Sequence, residues 1–303
     1  MSAGLGTRLA PYTDHTPKPL LPLAGVPLFQ WVVDQLYEAG IEKIFFNVHS
    51  HSKVFLDQVK NIDFNGLEFE WIDERKQLLG SGGTLIQVSQ LIKDPYFLVI
   101  NADALLLDSL RNFLKKAVSL NTKDPELFWW IHSGKNTKGS YSEIIVENDK
   151  VKEIRNKNIS SPFFCGTSIV PAFYLRDFDV KSIEYRDLLM NPFLKKDKIL
   201  SFESSPLFLD IGDPRAWWES HFVWMDEMKK QKGLPLWLKR MNQVNRCVDD
   251  GWVHREIKKV PKKGYGYWGK NAESDVAHQH VTYEGRPQDF ALSWGGEISL
   301  FNK

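Results

Sequence analysis

Cysteine is scarce in this chain, with two residues, Cys165 and Cys247, among 303. They stand far apart and have no metal-ligand spacing. That excludes a disulfide framework and a zinc knuckle, and it predicts reduced thiols in a cytoplasmic protein. No apolar run approaches membrane-spanning length and no basic-then-apolar signal peptide is read, so no membrane partner is expected. An excess of either charge is missing too. Lys and Arg number 39 against 38 Asp and Glu, a net charge of +1, which leaves no electrostatic footprint for nucleic acid. There is no internal repeat and no low-complexity tract. What remains is ordinary for a soluble globular protein: 43% hydrophobic and 25% charged residues, in a chain long enough for one large or two modest domains. Eleven tryptophans and 19 phenylalanines point to core packing.

Periodicity arranges the first half as alternating helices and strands. "PLFQWVVDQLYEAG" places Phe29, Val32, Val33, Leu36 and Tyr37 at helical spacing, and Gly40 is a natural stop. "KIFFNV" is a strand, "SKVFLDQVK" a short helix with Ser52 as N-cap, and "LEFEWID" alternates like a strand. "GGTLIQVSQLI" reads as a glycine turn feeding a helix. "YFLVINAD" reads as a buried parallel strand ending in an acid. This alternation predicts an α/β fold, a layered, mostly parallel sheet flanked by helices. Further on, "SEIIVENDKVKEIRNK" predicts a hairpin turning at Asn148-Asp149, followed by strands at "FFCGTSIV", "ILSFE" and "LFLDIGD". "DPRAWWESHFVWMDEMKKQ" predicts a long helix capped by Asp213 with Pro214 at its first position. Beyond Gly233 the periodicity weakens. The expected division is a main domain over 1–232 and a small C-terminal region of uncertain structure over 233–303.

The opening stretch, "SAGLGTRLAPYTDHTPKPLLPLAG", carries chemistry. Gly4 and Gly6 let backbone N–H groups approach a phosphate, because no Cβ stands in the way. Arg8 offers a bidentate fork for phosphate oxygens, and Lys18 is a point charge between the stiff residues Pro17 and Pro19. Together they form an anion cradle. It is not a Walker loop, because no Gly-Lys-Ser/Thr follows. Nor is it a dinucleotide fingerprint, because Thr7 and Arg8 follow the second glycine.

"AGLGTRLAPYT" with "TPKPLLPLAGVPL" resembles the signature of the sugar-1-phosphate nucleotidyltransferases, the nucleotide-sugar pyrophosphorylases. In order along the chain, "LLGSGGTL" is similar to the family's second glycine loop, "NAD" to the acid ending a central strand, "FFCGTSIV" to the sugar-pocket strand, and "FLDIGDPRAWWES" to the family's Asp-Ile-Gly motif. The likeness covers roughly 1–230. It is closest to short bacterial uridylyltransferases for N-acetylmuramic acid 1-phosphate and guanylyltransferases for mannose or heptose 1-phosphate.

The resemblance implies a Rossmann-like nucleotide-diphospho-sugar transferase fold and a reaction. A nucleoside triphosphate, UTP or GTP, and a sugar 1-phosphate give a nucleotide-sugar and pyrophosphate, for cell-envelope polysaccharide. Such a step needs positioning and charge neutralisation rather than a covalent nucleophile. It implies that Ala3, Gly4, Leu5, Gly6, Thr7, Gly82 and Gly83 bind the nucleotide. Asn101, Lys157 and Gly166 would bind the sugar phosphate, and Asp103 and Asp210 would hold Mg2+. Arg8 would neutralise the departing phosphates, and Lys18 would steady the α-phosphate. A homo-oligomer is left open.

Three departures qualify this reading. The family's Glu-Lys-Pro is Asn156-Lys157-Asn158 here, so Lys157 reads either as the sugar-phosphate lysine or as a solvated turn lysine. Family members carry a buried apolar strand just before "AGLGTR", where this chain has Met1 and Ser2. The expectation is that about five to seven apolar residues precede them in the natural protein. No hexapeptide repeats occupy 233–303. His49 with His51, and His278 with His280, could each pair as ligands, but no third ligand is near, which favours surface or capping roles. Two rival classes stand beside the transferase. A nucleotide-sugar-dependent glycosyltransferase would show Asp-x-Asp, but Leu105 follows at that spacing from Asp103. A non-catalytic nucleotide-sugar-binding module would not need both acids, the arginine and the lysine.

Overall fold

The computed structural model describes residues 7–49, 52–108, 110–120, 123–134, 141–157, 162–230, 232, 234–248, 251–254, 267–268, 280–283, 290–293 and 298–300. In chain order its elements begin with β1 (Pro22–Leu23), β2 (Val26–Pro27), α1 (Leu28–Ala39), β3 (Lys43–Val48), α2 (Ser52–Val59), β4 (Glu68–Asp73), α3 (Gly80–Leu91), β5 (Tyr96–Val99), β6 (Ala104–Leu106) and α4 (Leu110–Ala117). They continue with β7 (Leu127–His132), β8 (Ser142–Glu147), β9 (Lys150–Lys157), β10 (Phe163–Pro171), α5 (Ala172–Leu175), α6 (Asn191–Lys195), β11 (Ile199–Ser204), β12 (Phe208–Asp210), α7 (Pro214–Lys229) and α8 (Pro235–Val244). Six short strands close the chain: β13 (Asn245–Val248), β14 (Gly251–His254), β15 (Tyr267–Trp268), β16 (His280–Tyr283), β17 (Phe290–Ser293) and β18 (Ile298–Leu300).

The elements gather into two compact units. Of the described residues, the first holds 39–49 and 67–208, and the second holds 7–38, 52–66 and everything from 209.

The first unit is built on a six-stranded sheet ordered β5-β10-β7-β11-β9-β8. Its centre, β7, is "LFWWIH", six residues all buried, as a strand covered on both faces must be. On one face Phe113 of α4 stacks on Phe128 at 4.8 Å and on Trp130 at 5.2 Å between ring centroids. On the other, Trp129 and Ile131 join Leu85 and Ile86 of α3 and Leu188 and Leu189, which lie in a single π-helical turn. The expected layering of sheet and helices is therefore present. A parallel pair, β3 with β4, runs in register from Lys43 opposite Glu68 to Val48 opposite Asp73. The hairpin β8–β9 turns at Asn148 and Asp149, both left-handed with φ of 51° and 58°, which is the twist a two-residue turn needs.

Two expectations need correction. Within the six-stranded sheet only β7–β11 is parallel. β5–β10, β10–β7, β11–β9 and β9–β8 are antiparallel, so this sheet is mixed rather than mostly parallel. Tyr96–Val99 in particular pairs antiparallel with β10 and is half-buried. An unbroken apolar run reports shielding on two faces and says nothing about its neighbour's direction. The glycines expected as a turn before α3 lie instead inside its first turn, because another segment packs against them, as described below.

The second unit assembles α1, α7 and α8 around three buried tryptophans. Trp31 and Trp224 lie 4.8 Å apart, Trp224 and Trp237 4.9 Å. Two of the three indoles are satisfied where backbone comes close: Trp31 Nε1 donates to Leu23 O (3.1 Å) and Trp237 Nε1 to Trp31 O (2.9 Å), whereas Trp224 Nε1 is buried with no acceptor among the described residues. Helix α7 starts as expected, with Asp213 Oδ1 accepting from Ala216 N–H at 2.8 Å and Pro214 in the first turn. His221 on α7 donates from Nδ1 to Trp217 O (3.0 Å), and burial pushes its pKa down to about 4. In the region of uncertain structure, α8 is a regular helix. The backbone of the last six strands forms one sheet in chain order, with parallel ladders at β14–β15 and β15–β16.

Among the described residues no helix is long and apolar enough to cross a membrane. Cys165 is a free, buried thiol whose pKa burial pushes up to about 12. The side chain of Cys247 lies outside the described residues.

Candidate active site

In the second unit, Arg8 and Asp210 face one small space. Arg8 is exposed in a 3-10 turn, Thr7–Leu9, anchored by buried Leu9. Asp210 ends β12, two residues before Gly212. A Cβ placed on Gly212 would stand 3.5 Å from both Asp210 carboxylate oxygens and 3.6 Å from Arg8 Nη1. A guanidinium fork and a carboxylate thus both border the position that the side chain missing at Gly212 would take. Lys18 begins a second 3-10 turn, Lys18–Leu20, which is set by Pro17 and Pro19 and closed by Leu21 N–H to Lys18 O (3.0 Å). Lys18 is only 8% exposed, unusual for lysine, and so its position is fixed by packing as well as by the turn.

In the first unit, Asn101 and Gly166 meet. The β5–β10 ladder pairs Val99 with Ser168, and continuing it by two residues sets Asn101 opposite Gly166. The β10–β7 register shifts between Phe164 and Ser168, and Gly166 sits in that shift with φ +81°. A Cβ there would lie 2.4 Å from Asn101 Nδ2, so both the backbone and the neighbour require glycine. Asp103 occupies the turn just after, entering β6. Lys157 closes β9, with its side chain outside the described residues.

The second glycine loop is covered by its own unit. Gly82 and Gly83 N–H both donate to Ile183 O, at 2.8 and 3.1 Å. A Cβ on Gly83 would lie 2.2 Å from Lys181 O, so this position tolerates no side chain. Glu184 accepts from Ser81 Oγ at 2.5 Å and from Ser81 N–H at 3.4 Å. The glycines therefore seat the Lys181–Glu184 segment against the start of α3, a role the sequence reading missed. The signal for it is distant, about 100 positions along the chain.

Ala3, Gly4, Leu5 and Gly6 lie outside the described residues, as do His51 and His278. Thr7 is exposed at the start of its turn. His49 bonds through Nδ1 to Glu74 O (2.8 Å) in a capping role. No group of three or more His, Cys, Asp or Glu suited to a metal occurs among the described residues. Asp210 in the second unit supplies hard carboxylate oxygens, the donors Mg2+ takes one or two at a time alongside phosphates, and Asp103 supplies the same chemistry within the first unit. The side-chain-free space above Gly212 suits that chemistry.

Gly212→Ala tests this space. The added methyl makes only ordinary contacts, so the fold is expected to stay intact. Turnover is expected to fall about 10–100-fold, because a group bound between Arg8 and Asp210 would be displaced by about an ångström. Steady-state kinetics beside a melting curve read both.

The sequence profile of the nucleotidyl transferase family matches residues 1–157. The bifunctional protein GlmU of Methanococcus maripaludis is 31% identical over 219 residues, covering 71% of this chain and 51% of that protein. An N-acetylmuramate alpha-1-phosphate uridylyltransferase of Neisseria meningitidis serogroup B is 24% identical over 212 residues, covering 70% of this chain and 91% of that protein. In fold, HddC from Yersinia pseudotuberculosis superposes with a TM-score of 0.64 at 20% identity, over 74% of this chain and 96% of that one. The chain belongs to the nucleotidyl transferase family. It spans about half the length of the GlmU proteins it matches.

Proposed function

We propose that this chain transfers a nucleoside monophosphate from UTP or GTP to a sugar 1-phosphate, releasing pyrophosphate, and that 1–232 carries the reaction with 233–303 as an extension. An oxygen of the sugar phosphate forms a bond to the α-phosphorus in line. The bond to the bridging oxygen breaks, and its electron pair leaves with pyrophosphate. The observation that carries the proposal is the approach of both Arg8 Nη1 and the Asp210 carboxylate to Gly212, inside the two motifs farthest apart in the sequence.

In this reading Arg8 binds the departing phosphates through its planar fork, and Lys18, fixed between prolines, holds the α-phosphate as charge develops there. Bound Mg2+ would supply charge neutralisation at the phosphates, held by Asp103 and Asp210. Asn101 orients the sugar phosphate from beside Gly166, and Lys157 pairs with it. Thr7, with Ala3, Gly4, Leu5 and Gly6, lines the nucleotide. Gly82 and Gly83 act through the loop they hold in place. The buried free thiol of Cys165 supports a cytoplasmic protein, and the uridylyltransferase relative supports a role in cell-envelope polysaccharide.

The test is pyrophosphate release across the four common nucleoside triphosphates and a panel of sugar 1-phosphates. Release that depends on both substrates, with one base preferred, is the expected result. Nucleotide-sugar consumed with transfer to an acceptor, and no pyrophosphate, would instead indicate a glycosyltransferase.

A further inference from the structure

Glu74 directly follows β4 and is wholly shielded from water, at 0% exposure. Its Oε1 accepts from Asn47 Nδ2 (3.0 Å) and from Thr84 Oγ1 (2.5 Å), and its Oε2 accepts from Leu79 N–H (3.2 Å). Its backbone is held as well. The N–H donates to Val48 O (2.9 Å), and the carbonyl accepts from His49 Nδ1. All three donors to the carboxylate, two side chains and one backbone N–H, are neutral groups. Burying a carboxylate without a cation is costly, so a residue of this kind persists where its hydrogen bonds fix something.

The three donors come from three pieces of chain. Asn47 is on β3, Leu79 is the residue before α3, and Thr84 is on the first turns of α3. Thr84 Oγ1 also lies 3.0 Å from Gly80 O, so the bond reaches into the glycines themselves. Between Glu74 and Leu79 the chain is "RKQL", exposed throughout. Nothing apolar within it is buried, so its path is set at its two ends: by the Glu74 carboxylate, and by Leu79, which packs on Ile72 and Val88 and accepts from Ile183 N–H (2.9 Å).

We propose that Glu74 is the positioning residue of the 78–83 glycine loop, and that through the loop it sets the affinity for the nucleoside triphosphate. The second half rests on the reading of this loop, through Gly82 and Gly83, as part of the nucleotide site. The role is one of geometry rather than charge. In Glu74→Gln one oxygen still accepts from Leu79 N–H. The new amide can donate to Thr84 Oγ1, and the Asn47 amide can turn to present its oxygen. In Glu74→Ala three buried donors lose their acceptor together.

The experiment has two readouts on the full chain. The first is amide hydrogen exchange over 78–84 without nucleotide. The second is binding of UTP and GTP with Mg2+, alongside KM and kcat. Glu74→Ala is expected to speed exchange at Leu79, Gly82 and Gly83 at least tenfold and to raise the triphosphate KM about tenfold, with kcat within about threefold. Glu74→Gln is expected to stay within about threefold of the unaltered chain in every readout. If Glu74→Ala does not fold, Thr84→Val removes the single bond to α3 and is expected to show the same selective rise in exchange, smaller in size. Unchanged exchange in a folded Glu74→Ala or Thr84→Val overturns the proposal. So does a Glu74→Gln as defective as Glu74→Ala, which would make charge the cause. Faster exchange with unchanged triphosphate affinity overturns the relay to the nucleotide. Failure of the unaltered chain to bind either triphosphate overturns the nucleotide-site reading instead, with exchange still deciding the positioning role.

Discussion

Asp210→Asn is expected to lower turnover by about 10²–10⁴-fold while leaving the melting temperature within a few degrees of the unaltered chain. Asparagine has nearly the same size and keeps one oxygen, so packing beside Gly212 is unchanged. What disappears is the negative charge facing Arg8 and any ion held there. A divalent metal contributes several kcal/mol to charge stabilisation in phosphoryl transfer, and each 1.36 kcal/mol is tenfold in rate, which sets the range. Asp103→Asn is expected to fall in the same range. It lies in the other compact unit, on a turn with different neighbours, so the two variants are independent tests. Arg8→Ala is expected to act on the chemical step as well, because its charge meets phosphates that gain charge as they leave. Initial rates with varied Mg2+, beside circular dichroism and melting curves, separate lost chemistry from lost fold. Near-normal turnover in a folded Asp210→Asn or Asp103→Asn would remove that residue from the metal site.

Local signals in the sequence were read correctly where one short stretch contains the whole cause. Asn148-Asp149 can both adopt left-handed backbone, and they turn the β8–β9 hairpin. Asp213 and Pro214 start α7, and Gly40, at φ +85°, follows the end of α1. Long-range causes were not legible. The direction of β5 is decided by β10, some 70 residues on, and the alternation of apolar residues carries no trace of it. Gly82 and Gly83 announce close approach, and only the fold shows that the approaching group is Lys181–Glu184. Glu74 hides in "DERKQ", which reads as a solvated turn, because nothing in composition marks one acid of such a run as buried. In α8 a signal did exist. Pro235 opens the helix, and Trp237 and Met241 stand four apart on one buried face. The glycine-rich, basic stretch beyond it drew the whole region into one description.

Arg240→Ala is expected to destabilise the second unit by about 3–5 kcal/mol near neutral pH, the range for removing one partner of a buried ion pair. Arg240 on α8 reaches Asp34 on α1 with two bonds, Nε to Oδ2 at 2.5 Å and Nη2 to Oδ1 at 2.8 Å. Asp34 is 0% exposed and Arg240 12% on their side chains, so water cannot take over when the guanidinium goes. Gln30 and Asn65 also donate to Asp34, at 2.8 and 3.1 Å, but both are neutral. The second contact of Arg240, to Asp63 at 3.3 Å, involves a carboxylate that is 60% exposed and adds little. Burial already raises the Asp34 pKa, against the lowering by Arg240, Gln30 and Asn65. Without Arg240 it rises further above its unfolded value. A carboxyl group of that kind contributes stability at low pH that is lost as pH climbs through its folded pKa, so the deficit of Arg240→Ala is expected to shrink between about pH 7 and pH 4. The double variant Asp34→Leu with Arg240→Leu is expected to recover most of the loss, because two apolar groups leave no charge unpaired. Urea unfolding of the three chains at both pH values measures this. A loss under about 1 kcal/mol at pH 7, or a deficit that grows in acid, would show that α8 is held by the Trp31–Trp237 contact instead, through the indole bond from Trp237 Nε1 to Trp31 O.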